Sequence, residues 1–571
     1  MRLLLFPLMI TLSLSAMASD PLIVPEAASG LSETKAVRYQ HAMAVTANPY
    51  ASEAAKTILQ QGGSAVDAAI TAQLVLGLVE PQSSGIGGGA FMLHWDSKTK
   101  QLSSWNGRET APVNTEERHF LTKSGKPMSF YDAVIGGYAV GVPGVVAMLE
   151  AAHKAHGKLP WSALFAPAIT LAEQGFMLSP RLHTLLSNSP RIAVNPAIRD
   201  CFFVNGKPKP VGTVLKNPAY ASTLKQLAEG GAEAFYHGGL AKQLVAAVTN
   251  DPNRPGKLQL SDLANYRAQQ QPAICAAFLQ YQVCGAPPPS SGGTTVLAIL
   301  GMIENATKGG KDILPLHSFI EASRIAFADR NRYIADPDFV EVPTQGLVDP
   351  GYLKQRADLI SDKQRLQDVT AGNPPGAPPR EGSESPELPS TSHFSIVDSD
   401  GNVVSMTTSI ETAFGSRVMV GGFLLNNQLT DFSFAPKDET GELIANRIES
   451  GKRPRSSMSP TIVLKDGQPI LAIGSPGGAR IIDYVALSLY RILAMDMPID
   501  EAISAGHVVA MGPYLELEAG RFTPEQIKVL EDLGHAPRQG EQTSGLHVIR
   551  LLPDGLEGAA DPRREGEVAG F

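Results

Sequence analysis

The chain has 571 residues, 18% of them charged and 43% hydrophobic, and a formal net charge of −8. That length admits several domains or one large layered domain, and that composition excludes an intrinsically disordered chain. The acidic balance, with no run of lysine or arginine, argues against nucleic acid as a partner.

Met1-Arg2 is a short basic start, Leu3 to Leu14 an apolar core too short to cross a bilayer, and Ala16-Met17-Ala18 a small-x-small cleavage site. This pattern reads as an export signal over residues 1–18, with the mature chain starting at Ser19. No later apolar run approaches the ~20 residues of a membrane helix. The expectation is a protein free of the membrane after signal removal, periplasmic or secreted. Of three cysteines, Cys201, Cys275 and Cys284, at least one must stay unpaired or pair between chains. Cys275 and Cys284 flank a hairpin-like run and could bridge across it. No Cys/His cluster has metal-ligand spacing, so no metal is expected.

Residues 50–79 read as two helices around a Gly62-Gly63 break, with Val66, Ile70, Leu74 and Leu78 at helical spacing and Asp67 among them. Ser83-Ser84-Gly85-Ile86-Gly87-Gly88-Gly89 lacks the lysine and the spacing of a phosphate cradle. Its glycines are read instead as allowing close approach between elements. Phe91–Trp95 and Gln101–Trp105 read as paired strands, and Val145 to about His156 as a helix. Residues 160–380 look largely helical, with periodic segments near 220–230, 239–249, 294–305, 316–334 and 350–367.

Residues 371–390 change character: rich in proline and glycine, they have almost nothing to bury and read as a mobile or extended arm. After it the chain turns to β structure, His393–Val397 and Val403–Ile410 forming a hairpin around Asp398-Ser399-Asp400-Gly401-Asn402. Strands follow at Pro460–Lys465 and Pro469–Ile473, helices at 480–495, 498–505 and 524–534, and strands at Tyr514–Glu518 and His547–Leu552. Paired strands with helices in blocks suggest a layered α+β fold. Thr391, between the arm and the first of these strands, either simply opens the strand or is the nucleophile of a self-cleaving precursor. In the second case it attacks the carbonyl of Ser390 and its own α-amine becomes the base.

The ordered motifs decide between the two. They are Gly62-Gly63-Ser64-Ala65-Val66-Asp67-Ala68-Ala69, Arg108-Glu109-Thr110-Ala111-Pro112, Pro287-Pro288-Pro289-Ser290-Ser291-Gly292-Gly293, Thr391-Ser392-His393, Asn426-Asn427-Gln428, Asp431-Phe432-Ser433, Arg455-Ser456-Ser457-Met458-Ser459-Pro460 and Gly474-Ser475-Pro476-Gly477-Gly478. In these the chain resembles a γ-glutamyltransferase (γ-glutamyl transpeptidase), of the N-terminal-nucleophile hydrolase group. The resemblance implies a four-layer αββα sandwich. It implies cleavage between Ser390 and Thr391 into a large subunit, 19–390, and a small subunit, 391–571, that stay associated as one intertwined domain. It also implies no cofactor, with small γ-glutamyl compounds and amine acceptors as partners.

Residue by residue, the resemblance makes Thr391 the nucleophile, Ser409 its hydrogen-bond partner where the family usually has Thr, and Gly477 and Gly478 the oxyanion-hole glycines. It makes Arg108, Ser456 and Ser457 binders of the substrate α-carboxylate, and Gln428 and Asp431 binders of its α-ammonium. Glu411 stands where the family usually has Asn, and a carboxylate there favours an acyl group carrying an amine. Residues 434–454 form a short polar run without the aromatic that many members place over the site, which points to more hydrolysis relative to transfer. The alternatives are a glutaryl-type acylase on the same fold and a non-catalytic exported binding protein. A nucleotide-binding enzyme lacks a Lys or acidic partner at the needed spacing.

Overall fold

The computed structural model describes residues 31–32, 34–189, 191–307, 315–379 and 390–571. The expected signal lies outside them, as do residues 380–389 of the expected arm; 371–379 run without helix or strand.

Fourteen strands make the two large sheets. In chain order they are β1 (Val37–Tyr39), β2 (Met43–Thr46), β3 (Gly89–Asp96), β4 (Gln101–Asn106), β5 (Gln269–Pro272), β6 (Ile274–Phe278) and β7 (Tyr281–Gly285), then β8 (Ser392–Val397), β9 (Val403–Ser409), β10 (Thr461–Lys465), β11 (Gln468–Gly474), β12 (His547–Leu552), β13 (Gly555–Ala560) and β14 (Glu567–Gly570). One sheet runs β1-β13-β12-β11-β10-β7-β6, the other β14-β2-β8-β9-β3-β4-β5. Every neighbouring pair is antiparallel.

Met43, Val45, Leu93, Val403, Ile462 and Ile549 fill the space between the sheets. Helices α1 (Pro49–Gln60), α2 (Ala65–Val79) and α3 (Val145–His156) cover the outer face of the second sheet. Helices α4 (Gly292–Thr307), α5 (Pro315–Tyr333) and α6 (Ile481–Ala494) cover the outer face of the first. The result is the expected αββα sandwich. Because β8 is covered on both sides, its residues are buried throughout: Phe394 and Ile396 face the helices and Val397 the other sheet. Polar side chains of β8 find partners. His393 Nδ1 lies 2.8 Å from Thr407 Oγ1, and Ser395 Oγ donates to His547 O at 3.1 Å. Burial holds the His393 imidazole well below its ordinary pKa, hence neutral.

All fifteen residues of α2 are buried. Asp67 is tolerated there because it is N3 of a capping box: it accepts from Ser64 N at 2.9 Å, and the same oxygen accepts from Lys158 N at 2.9 Å and Leu159 N at 3.0 Å. The Ser83–Gly89 glycines act by close approach: a Cβ on Gly88 would strike the Ser409 carbonyl, and one on Gly87 the Leu424 carbonyl. Cys275 and Cys284 face each other across β6–β7 and are bridged; Cys201 is a free thiol, its pKa pushed up to about 11 by burial.

Two expectations need correction. The helix near 350–367 ends at Ala357. Beyond it the backbone is claimed from elsewhere: Ser361 O by His317 Nε2 at 2.7 Å, Leu366 N by Glu321 Oε2 at 2.7 Å, and Arg365 N by Leu533 O at 2.8 Å. The 160–380 stretch, largely helical as expected, also contributes three strands, β5, β6 and β7, to the large sheets.

Candidate active site

The register of the second sheet assembles one end of the site. Ser392 pairs with Thr408, which sets Thr391 beside Ser409, and Ser409 pairs with Gly89 on the far side. Thr391 Oγ1 lies 2.6 Å from Ser390 O and 3.2 Å from Ser409 Oγ. Ser409 Oγ donates to Ser390 O at 2.8 Å and accepts the Glu411 N–H at 2.8 Å. A hydroxyl has one proton and two lone pairs. With its proton on the Ser390 carbonyl, Ser409 can accept from Thr391, so that Thr391 turns a lone pair towards the carbonyl carbon while Ser409 polarises that carbonyl. Ser390 Oγ donates to Gln82 O at 2.6 Å, and Arg564 Nη1 donates to Thr391 O at 3.1 Å, so the bond between the two residues is held from both sides.

Just beneath, Glu80 accepts from Ser392 Oγ at 3.0 Å and stands 3.8 Å from Arg181 Nε. Burial, opposed by that guanidinium, raises its pKa to about 7.

Gly477, at φ +138°, caps a turn that runs through Gly478 into α6. Its Cβ would meet the Tyr484 ring at 2.7 Å, so glycine is required. Amides at the start of a helix have no intrahelical acceptor and carry the positive end of the helix dipole. They suit a developing oxyanion.

The other end of the site is polar. A cavity of about 20 Å3, room for one water, is lined by Thr391, Ser409, Glu411, Gln428, Asp431 and Ser456. Ser457 and Gly478 complete the polar wall, and Met458 and Ile481 the apolar one. Eight of the ten residues expected in the site therefore meet at one cavity; of the other two, Gly477 adjoins Gly478 and Arg108 pairs with Asp431. Glu411 sits in the left-handed region at φ +79°, strained for a residue with a Cβ, and its Oε2 accepts from Asn427 Nδ2 at 2.7 Å. Gln428 Oε1 is buried without a hydrogen-bond partner, an acceptor a cation could satisfy.

Arg108 is fully buried and pairs with Asp431 through Nη2. It also donates to Arg455 O at 2.7 Å and Pro454 O at 3.1 Å. The two residues expected to take opposite ends of a zwitterion thus hold each other. Burial pushes the neighbouring Glu109 up to about 8, so it keeps its proton near neutral pH and leaves the guanidinium charge to Asp431.

Ser456 and Ser457 are held by residues the sequence reading did not single out for this. Ser290 Oγ donates to Met458 O at 2.6 Å and Ser291 Oγ to Ser456 O at 2.8 Å, which explains the Pro287–Gly293 motif. Arg330 Nη2 donates to Ser457 Oγ at 2.6 Å. The polar 434–454 run turns its aromatic inward: Phe434 stacks on Phe120 with centroids 4.5 Å apart, while Lys437–Leu443 form an exposed tip. Far from this cavity in sequence, His317, Glu321 and His535 converge in the core. Their polar atoms are already engaged: His317 Nδ1 is 2.8 Å from His535 Nε2, and Glu321 Oε1 accepts from Arg324 at 2.7 Å.

A four-layer sandwich with a threonine at the head of an inner strand, its hydroxyl against the preceding carbonyl, defines an N-terminal-nucleophile hydrolase. The chain belongs to the γ-glutamyltranspeptidase family: residues 51–571 match the family profile described as Gamma-glutamyltranspeptidase. It is 37% identical over 548 residues to the glutathione hydrolase proenzyme of Bacillus subtilis strain 168, covering 93% of this chain and 91% of that one. It is 35% identical over 567 residues to the glutathione hydrolase proenzyme of Escherichia coli K12, covering 96% and 95%. Among solved structures it is similar to the cephalosporin acylase of Bacillus halodurans, with a TM-score of 0.83 and 26% identity, covering 96% and 99%.

Proposed function

We propose that this protein is an exported precursor that cleaves itself before Thr391 and then moves γ-glutamyl groups, from glutathione or a similar amide, to water or to an amine. In the first step Thr391 Oγ attacks the Ser390 carbonyl carbon through a five-membered ring. The C–N bond breaks, the nitrogen takes a proton and becomes the Thr391 α-amine, and water hydrolyses the resulting ester to leave Ser390 as a carboxylate. In the second step that amine, with an ordinary pKa near ~8, takes the Oγ proton as Oγ attacks the γ-carbonyl. Gly477 and Gly478 N–H groups meet the oxyanion, a contribution of roughly 10²–10³ in rate per donor. The amine proton then goes to the leaving group, and water or an acceptor amine releases the acyl group from Thr391.

The observation that carries this reading is the meeting of Thr391 and Ser409 with Glu411, Gln428, Asp431, Ser456 and Ser457 at one cavity. A zwitterion entering there exchanges partners without leaving a charge unmatched: its carboxylate replaces Asp431 on Arg108 and its ammonium takes Asp431. The γ-glutamyl group is expected to enter only after cleavage has separated Ser390 from Thr391. The fragments would stay together because strands β8 and β9 lie between β2 and β3 in one sheet. The Cys275–Cys284 bridge suits a periplasmic or secreted setting. Sequencing the purified protein should find a fragment beginning at Thr391, and γ-glutamyl-p-nitroanilide should be cleaved. One unbroken polypeptide that still turns over the anilide would overturn the mechanism.

The likeness to a cephalosporin acylase supports a second reading, hydrolysis of glutaryl-type amides. Glu411 and Asp431 stand against it, since an acyl group without an amine leaves two carboxylates facing it. Glu411→Asn is expected to lower the preference for γ-glutamyl- over glutaryl-p-nitroanilide roughly tenfold, the worth of one charge-assisted contact. An unchanged ratio of kcat/KM values would remove Glu411 from selection. With no aromatic of the 434–454 run over the cavity, hydrolysis should exceed transfer to glycylglycine; a product ratio dominated by the transfer product would contradict this.

A further inference from the structure

We infer that Arg330 is the positioning residue that orients the carboxylate-binding serines, an assignment that rests on the γ-glutamyl reading above. Arg330 lies on α5, which packs on α4 in the helical layer outside the sheet that does not bear Thr391, and is 3% exposed. Its planar fork reaches two hydroxyls at once: Nη2–H donates to Ser457 Oγ at 2.6 Å and Nε–H to Ser291 Oγ at 2.8 Å. Nη1–H donates to Asn331 Oδ1 at 2.9 Å, which fixes the plane of the fork.

A guanidinium is always protonated and only donates. Ser457 Oγ is therefore the acceptor in its contact with Arg330 and must send its own proton elsewhere, and Ser457 lines the cavity. The same logic applies one step removed. Ser291 Oγ accepts from Arg330 and so has its proton for Ser456 O, at 2.8 Å, while Ser291 N–H donates to that same carbonyl at 2.7 Å. One buried cation thus sets the hydroxyl direction of Ser457 and the backbone position of Ser456. It also adds positive charge behind Ser457, one of the residues expected to bind the carboxylate. Arg330 makes no hydrogen bond to Thr391 or Ser409 among the described residues, so its effect should fall on binding and not on chain cleavage or the chemical step.

Arg330→Met should cleave at Thr391 to the same extent as the unaltered protein and keep its kcat within about twofold. Its KM for γ-glutamyl-p-nitroanilide should rise roughly tenfold, the scale of one charge-assisted contact. Arg330→Lys, a point charge without the fork, should fall between. Because part of the effect of Arg330 runs through Ser457 and part through Ser291, Arg330→Met combined with Ser457→Ala should lose clearly less than the sum of the two single losses. Additive losses, or a fall in kcat at unchanged KM, would overturn the assignment. Should Arg330→Met fail to fold, Ser291→Ala carries the test, since it removes one arm of the fork's hold and should raise KM in the same sense; an unchanged KM there would overturn it. Failure of the unaltered protein to release p-nitroaniline would sink the γ-glutamyl reading itself, whereas normal turnover with an Arg330→Met variant of unchanged KM would sink only this one.

Discussion

Thr391→Ala is expected to remain a single uncleaved chain and to lose γ-glutamyl-p-nitroanilide turnover by a factor on the order of 10⁴ or more, as when a nucleophile is removed from a catalytic set. The alanine removes the one oxygen placed 2.6 Å from the Ser390 carbonyl oxygen, while Ser409 still donates to that carbonyl at 2.8 Å. Polarisation without a nucleophile breaks nothing, so the α-amine base is never released and the second reaction is lost with the first. Thr391→Ser separates the two roles of the side chain. It keeps Oγ but drops the methyl that restrains χ1, so it should cleave, more slowly, and end as an active enzyme. Gel electrophoresis over hours after purification distinguishes the three proteins. If the Thr391→Ala variant still yielded a fragment beginning at the substituted position, the cleavage would belong to some other group.

The sandwich was legible in the sequence wherever an element carries its own signal. α2, α3, β8, β9 and β12 have long apolar patterns closed by turns or caps, and each falls within two residues of expectation. β13 has no such signal. Its Gly-Leu-Glu-Gly-Ala-Ala run has no β-branched residue, and Gly558 backs onto Met43, Val45 and Val568, where a side chain would collide. Glycine at 558 is dictated in part by Met43 and Val45 on β2, more than ~500 positions away. The helix expected to reach 367 shows the converse: its residues favour a helix, but His317, Glu321 and Leu533 take its backbone groups. In the site, motif resemblance pointed to the residues that meet the cavity. It did not point to what holds them. Arg330 acts on Ser457 across 127 positions, and Arg564 on Thr391 across 173, and no local pattern encodes either contact. Nor did it anticipate that Arg108 and Asp431 pair with each other.

That pair makes Arg108→Gln the most damaging change expected at the substrate end. The guanidinium is fully buried and serves Asp431, Arg455 O and Pro454 O together. Glutamine can satisfy at most part of that set and leaves the Asp431 carboxylate buried without its cation. Breaking a buried pair from one side costs about 3–5 kcal/mol, so the variant should show a clearly lower unfolding midpoint in urea. Activity should fall for a second reason. The α-carboxylate loses its cation, about 1.5–3 kcal/mol, and the ammonium now meets an Asp431 whose position Arg108 no longer fixes. A loss in kcat/KM of roughly 10²-fold or more follows from those magnitudes. Adding Asp431→Asn separates the two effects. Without a stranded carboxylate, the Arg108→Gln/Asp431→Asn protein should regain most of its stability, yet stay as inactive as the single variant because both ends of the zwitterion have lost their partners. Arg108→Lys should not substitute, since a single ammonium cannot reach a carboxylate and two backbone carbonyls in the fork geometry. An Arg108→Gln protein with unaltered stability would mean that the pair is not what holds this corner of the site, and the partner exchange proposed for substrate entry would fall with it.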